Sequence, residues 1–317
     1  MRRLLSFVSI FLVCFSLTSA KSKYVGCCSL SHLFASHSPK CVKVSAEVAD
    51  KQQVASGFFV SEFGHVLTTL VHGSNYSVET NLHQKIAAHL LGEDSVLGVA
   101  LIQVNDATKG VKFPYFSLST SLPWPKIGKS VVSLSCKLGQ SVSPQRGYVT
   151  SFNDRYFDCV FPLTLVRSSL AIDAGDCGGV VIDTKGNVLG MLSHALDDTK
   201  ETFYIPTWAL NKIFQDLLLW QRVRYSYVGL NTEVVYDKDR KRTCLRVLLV
   251  QPNSPAENCG ILKDDILLKI NEEDIDSMEN FKNFMFLSSP GEHMLFTFLR
   301  NNKEFKCSLK TVEKKIQ

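Results

Sequence analysis

Between residues 41 and 188 the apolar residues come in short runs closed by Gly, Asn, Asp or Ser, at 57–60, 66–70, 99–104, 131–134 and 147–152. That is strand spacing: a brief apolar run buries a sheet face, whereas an amphipathic helix needs a repeat of three or four. Evenly distributed strands with turn residues between them predict a β-sandwich or barrel domain. The period changes over 207–223, where Leu210, Phe214, Leu217 and Leu218 recur at three or four behind Pro206. One helix is expected to close the first domain there. Near Tyr225 a second unit of roughly 85 residues begins, enough for a small autonomous α/β domain. Its strands are expected at 245–250, 266–270, 294–299 and 304–309, with a short helix opened by Pro255 and a longer one after Ser277. Asn301-Asn302 reads as a hairpin turn, because Asn tolerates left-handed φ.

The first twenty residues pair Arg2 and Arg3 with an apolar stretch over 4–17 and small residues at Thr18, Ser19 and Ala20. This is the pattern of a secretory leader, the stretch being shorter than the roughly 20 residues that a membrane-spanning helix requires. Cleavage after Ala20 removes two positive charges from a formal +5. The remainder is too slight for a nucleic-acid footprint, and no nucleic-acid partner is expected. An exported protein, periplasmic or extracellular, is implied. Of ten cysteines, nine follow the leader. Their spacing lacks the paired C-x-x-C pattern of a zinc site, so no metal or cofactor is expected. An exported chain can oxidise some of them, and an odd number leaves at least one unpaired or linked to another chain. The pairing is not readable from sequence. Cys136, Cys159, Cys244 and Cys307 lie in apolar strand-like runs and read equally as small buried hydrophobes.

The chemistry-bearing stretch is Ala171 to Gly179, reading Ala-Ile-Asp-Ala-Gly-Asp-Cys-Gly-Gly. Glycine on both sides of a nucleophile permits a tight loop whose N–H groups converge, here those of Gly175 and Cys177, as an oxyanion hole. A thiol is intrinsically more nucleophilic than a hydroxyl and depends less on an oriented base. The segment resembles the nucleophile loop of chymotrypsin-fold proteases, and its continuation at 188–191 resembles the HtrA (protease Do) branch. Ser56-Gly57-Phe58-Phe59-Val60 with Gly64-His65-Val66-Leu67-Thr68-Thr69 resembles the family's opening, and Tyr204-Ile205-Pro206-Thr207 its closing helix. Tyr227-Val228-Gly229-Leu230 and Asn253-Ser254-Pro255-Ala256 resemble the peptide-binding loop and first helix of a PDZ domain. The resemblance spans about residues 38 to 312 and implies a mainly β fold: a double six-stranded β-barrel, trypsin-like, followed by a small α/β PDZ domain. Expected units are the leader 1–20, a segment 21–37, the trypsin-like domain 38–223, the PDZ domain 226–312 and a tail 313–317.

The chain departs from the family's pattern at its helpers. The general-base position falls on Val71, and His72 sits one place late, a rotation of about 100° in a helical turn. His72 is therefore either a displaced base or a surface-loop histidine. Gly98 occupies the position of the orienting acid. Asp94, four residues upstream, is a weak substitute that reads more simply as a solvated turn carboxylate. Asp176 is expected to be structural. His194 would line a specificity pocket if it serves catalysis at all. In the second domain the resemblance implies that residues 227–230 hold a peptide carboxylate, with Phe284 and Met285 bordering a side-chain pocket or filling core. Lys263-Asp264-Asp265 replaces the family's Gly-Asp turn and puts its geometry in question.

Two functions remain open at this point. One is an exported HtrA-like protein that binds unfolded or C-terminally exposed polypeptides in envelope quality control with little or no proteolysis. The other is an active endopeptidase with Cys177 as nucleophile and His72 as base. A purely structural envelope component is the third class. A homotrimer is an implication of the resemblance alone, and the short segment 45–54 leaves little room for a long regulatory loop.

Overall fold

A computed structural model describes residues 29–49, 51–105, 110–120, 124–156, 159–196, 201–238 and 240–314. The expected leader, Cys27, Cys28, the side chain of Cys159 and residues 315–317 of the expected tail lie outside what it describes.

A short helix that the sequence pattern did not predict, α1 (Leu30–His37), opens the described chain, capped by Ser29 Oγ accepting from His32 N–H. The first closed barrel follows. Its strands are β1 (Cys41–Val48), β2 (Lys51–Phe59), β3 (His65–Thr69), β4 (Ser74–Thr80), β5 (Lys85–Asp94) and β6 (Val99–Val104). Around the barrel they run β1-β2-β3-β6-β5-β4, all antiparallel. The segment 45–54, expected as a brief connection, is the end of a long β1–β2 hairpin, with Ser45 opposite Val54.

The second barrel contains β7 (Ser130–Ser135), β8 (Ser143–Tyr156), β9 (Cys159–Ser168), β10 (Val180–Asp183), β11 (Val188–Leu196) and β12 (Glu201–Pro206). It closes in the order β10-β11-β12-β9-β8-β7. Closing each sheet on itself removes the exposed edges that would otherwise recruit other strands. The expected double six-stranded barrel is thus present. α2 (Thr207–Trp220) then buries Leu210, Ile213 and Leu217, and ends at Gln221, whose left-handed φ of 60° lets its N–H reach Leu217 O.

The C-terminal unit is a five-stranded path with two helices. It comprises β13 (Ser226–Tyr227), β14 (Leu230–Asp237), β15 (Arg242–Val250), α3 (Pro255–Asn258), β16 (Ile266–Ile270) and β17 (Glu273–Asp274). α4 (Met278–Leu287), β18 (His293–Arg300), β19 (Lys303–Lys310) and β20 (Val312–Glu313) complete it. The main sheet runs β14-β15-β16-β18-β19, so β14 offers a free edge. The Asn301-Asn302 turn has φ of 50° and 61°, as its composition predicts. Asp264 takes a left-handed φ of 69° where glycine was expected, and the adjoining Asp265 is buried against Arg300 Nε and Nη2. The C-terminal unit does not hang free. Phe286 of α4 joins the barrel core between Trp208 and Tyr225, and Asn283 Oδ1 accepts from Thr164 N–H of β9 at 2.8 Å. Burying one phenylalanine is worth about 2–3 kcal/mol, enough to bias the two units toward a fixed arrangement.

Candidate functional site

The loop before β10 is built from its glycines. A Cβ on Gly175 (φ 91°) would meet Cys136 O at 2.8 Å, and one on Gly178 (φ 87°) would meet Ser56 O at 2.1 Å. Both positions therefore admit only glycine without rearrangement. Ser56, on β2, ties this loop to the first barrel: its Oγ donates to Gly175 O at 2.6 Å and accepts Cys136 N–H at 2.7 Å, and its N–H donates to Cys177 O at 3.0 Å. Asp176 is fully buried, accepting from Ser135 Oγ at 2.6 Å and Asp173 N–H at 2.8 Å. Among the described residues neither Gly175 nor Cys177 N–H donates to another backbone group.

Cys177 lies half-buried at the apex of this loop. Burial, followed by the negative charge of Asp176, pushes its thiol up to about 11, against a smaller opposing pull from its own N–H. No histidine is among the groups that act on it. Val71, where the family's base was expected, is buried, its carbonyl accepting the Tyr76 hydroxyl. His72 is exposed on the connection between β3 and β4. Gly98 has φ of 65° with no atom within 4 Å of where a Cβ would stand, and its carbonyl serves the backbone, accepting Leu70 N–H at 2.8 Å and Thr69 Oγ1 at 3.1 Å. His194 is packed between the rings of Phe161 and Phe203 with Ser193 Oγ on its Nδ1, and burial pulls its imidazole down.

Asp94 is where the structure differs most from expectation. It is buried, not solvated, and its Oδ2 accepts Leu97 N–H at 2.9 Å and the Tyr225 hydroxyl at 2.8 Å. Tyr225 belongs to the segment entering the C-terminal unit, so this carboxylate holds the two units together. Burial raises the carboxyl above its ordinary range despite the opposing hydrogen bonds. A carboxyl raised on folding binds its proton more tightly in the native state. The cost of its charge is fully present above the folded pKa and vanishes below the unfolded one. Denaturant melts at a series of pH values are therefore expected to show wild type gaining stability relative to Asp94→Asn as pH falls from neutral toward about 4. The absence of a trend would mean that Asp94 is solvated, and the opposite trend that folding favours its charged form.

A concavity of about 390 Å³ lies between β14 and α4. Tyr227, Val228, Gly229 and Leu230 line one end, and Phe281 and Met285 supply its apolar side. Phe284 faces elsewhere, lining an interdomain cleft with Trp124 and Trp208. One residue of helix turns a side chain by about 100°, so Phe281, one turn before Met285, takes the place expected of Phe284. The i, i+4 spacing of 281 and 285 was the available signal. Val228 O accepts Ala256 N–H at 2.9 Å and Gly229 O accepts Gln251 N–H at 2.8 Å. Both carbonyls are thus turned back into the unit, and neither Val228 nor Gly229 N–H has a backbone acceptor among the described residues. Gly229 has φ of 86°, and a Cβ there would stand 2.2 Å from Ser254 Cβ. Lys282 and Lys314 also border the groove and, among the described residues, no acidic one does, while Val96, Phe161 and Pro162 of the barrels form its far wall.

The model of a trypsin-like peptidase domain matches residues 55–191, and that of a PDZ domain matches residues 246–300. A "Probable periplasmic serine endoprotease DegP-like" protein of Chlamydia pneumoniae is 22% identical over 262 residues, covering 78% of this chain and 52% of that protein. "Serine endoprotease DegS" of Haemophilus influenzae is 24% identical over 276 residues, covering 82% of this chain and 78% of its own. The chain thus spans about half the length of the first of these relatives. The solved structure "HtrA-type protease AlgW with tripeptide" has a TM-score of 0.77 at 16% identity, covering 91% of this chain and 98% of that one, a likeness of fold.

Proposed function

We propose, for a chain that belongs to the HtrA family and joins a trypsin-like peptidase domain to a PDZ domain, that it is an exported receptor for unfolded polypeptides and protein C-termini whose peptidase centre is silent. The observation that carries this reading is the contrast between its Cys177 loop and its C-terminal groove. Val71 is buried and Gly98 carries no side chain at the positions that the resemblance gives to the base and the acid, and burial pushes the Cys177 thiol up to about 11, which supports a silent centre. The C-terminal groove keeps everything its chemistry requires. A peptide laid along the free edge of β14 gains main-chain hydrogen bonds, its carboxylate meets the Val228, Gly229 and Leu230 N–H groups, and its last side chain enters the apolar space beside Phe281 and Met285. With two lysines and no carboxylate at the rim among the described residues, acidic residues near the peptide's end are favoured over basic ones.

The test compares a fluorescent decapeptide ending in a free apolar residue with the same peptide amidated. Loss of a charged partner from the N–H cradle is expected to weaken binding by about 30-fold or more. Equal affinity for both would remove the carboxylate reading. In parallel, unfolded casein is expected to survive incubation with the protein. Cleavage that disappears in Cys177→Ala would establish the endopeptidase instead.

A further inference from the structure

We propose that Cys259 and Cys307 form a covalent modification site: a disulfide, made by exchange with a disulfide-bearing oxidant, that clamps the helix behind the peptide-receiving loop. The cross-link is independent of the receptor function above, and only its effect on ligand binding rests on that reading. Cys259 is the C-terminal cap of α3, its N–H bonded to Pro255 O at 3.2 Å. Its Sγ reaches across to β19 and donates to Ser308 O at 3.3 Å. Cys307 is the neighbouring residue on that strand and alternates inward with Phe305 and Leu309, so both cysteines pack against the same C-terminal core, and Cys259 is among the groups acting on the Cys307 thiol. Three described cysteines, Cys41, Cys136 and Cys244, are buried. Cys259 and Cys307 instead both pack against one core and are only half-buried, which an incoming oxidant requires.

The exchange balances in two steps. The Cys259 thiolate attacks one sulfur of the oxidant's disulfide, forming a mixed disulfide and expelling a thiolate that takes up a proton. Cys307 then loses its proton to solvent and attacks Cys259 Sγ, forming the internal disulfide and expelling the second thiol. Two protein S–H bonds are consumed and two oxidant S–H bonds formed. Burial, together with the neighbouring Cys259, pushes the Cys307 thiol up to about 12, so Cys307 is assigned the second step.

The position gives the bond a consequence. α3 is the element that holds the groove's loop, since Ala256 N–H donates to Val228 O and the cap residue Ser254 packs on Gly229. Fixing the end of α3 to β19 therefore restrains residues 228–230. The full chain, reduced and then equilibrated with oxidised glutathione, is expected on non-reducing peptide mapping to join Cys259 to Cys307 with a loss of about 2 Da. The product should disappear in Cys259→Ser and in Cys307→Ser. Wild type compared with itself before and after thiol treatment needs no variant, and oxidation should slow amide exchange at residues 228–230 about tenfold. If both cysteines remain fully alkylatable at a high ratio of oxidised to reduced glutathione, or link elsewhere, the proposal is wrong. If the bond forms and exchange at 228–230 is unchanged, the clamp is wrong. A bond that forms and slows exchange in a protein that binds no carboxyl-terminal peptide would sink the receptor reading and leave this one intact.

Discussion

Alkylation of Cys177 by iodoacetamide at pH 7.5 is expected to run about 30-fold slower than that of a free thiol, with a rate that climbs tenfold per pH unit past pH 9. Two opposing effects set the figure. A thiol held at about 11 is ionised some 300-fold less than one near 8.5 at that pH, and a more basic thiolate is about tenfold more reactive. Loss of ionisation wins. Half-burial of the sulfur slows the reaction further. His72 is exposed and is not among the groups acting on Cys177, so His72→Ala should leave the profile unchanged within about twofold. A rate plateau below pH 7, abolished by that substitution, would mean that a thiolate–imidazolium pair exists and that the chain is a cysteine endopeptidase.

The two barrels and the C-terminal sheet were legible because most of their strands bury one or both faces, which leaves unbroken apolar runs such as β6 and β7. β4 and β5 escaped notice for the converse reason: Ser74–Thr80 and Lys85–Asp94 alternate buried and exposed positions through Ser, Lys, His and Glu. α1, rich in Ser and His, has no sustained apolar stripe and is defined by its Ser29 cap. At the sites, the Gly175–Gly179 and Tyr227–Leu230 loops were legible as glycine-dependent turns, since they are specified by their own backbone requirements. Long-range partners were not legible. Nothing near Asp94 announces that its hydrogen-bond partner is Tyr225, 131 residues away, nor does cysteine spacing bring Cys259 to Cys307.

These long-range ties also set what the loop carrying Cys177 tolerates. Gly178→Ala is expected to destabilise the double barrel by about 3–5 kcal/mol, whereas Cys177→Ser should cost less than about 1 kcal/mol. At Gly178 the added methyl would lie 2.1 Å from Ser56 O and 2.7 Å from Thr69 N. Neither is the end of a flexible side chain: Ser56 O already accepts the Thr68 hydroxyl at 2.7 Å, and Ser56 carries the loop's bonds to Gly175 and Cys177. Relief therefore requires moving β2 or the loop, and the left-handed φ of 87° adds strain of its own. Calorimetry should place the unfolding midpoint of Gly178→Ala on the order of 10 °C below wild type for a domain of this size. Cys177→Ser should stay within about 2 °C. The reverse order, a tolerated alanine and a damaging serine, would mean that the thiol and not the glycine frame holds this loop, and that the join between the barrels lies elsewhere.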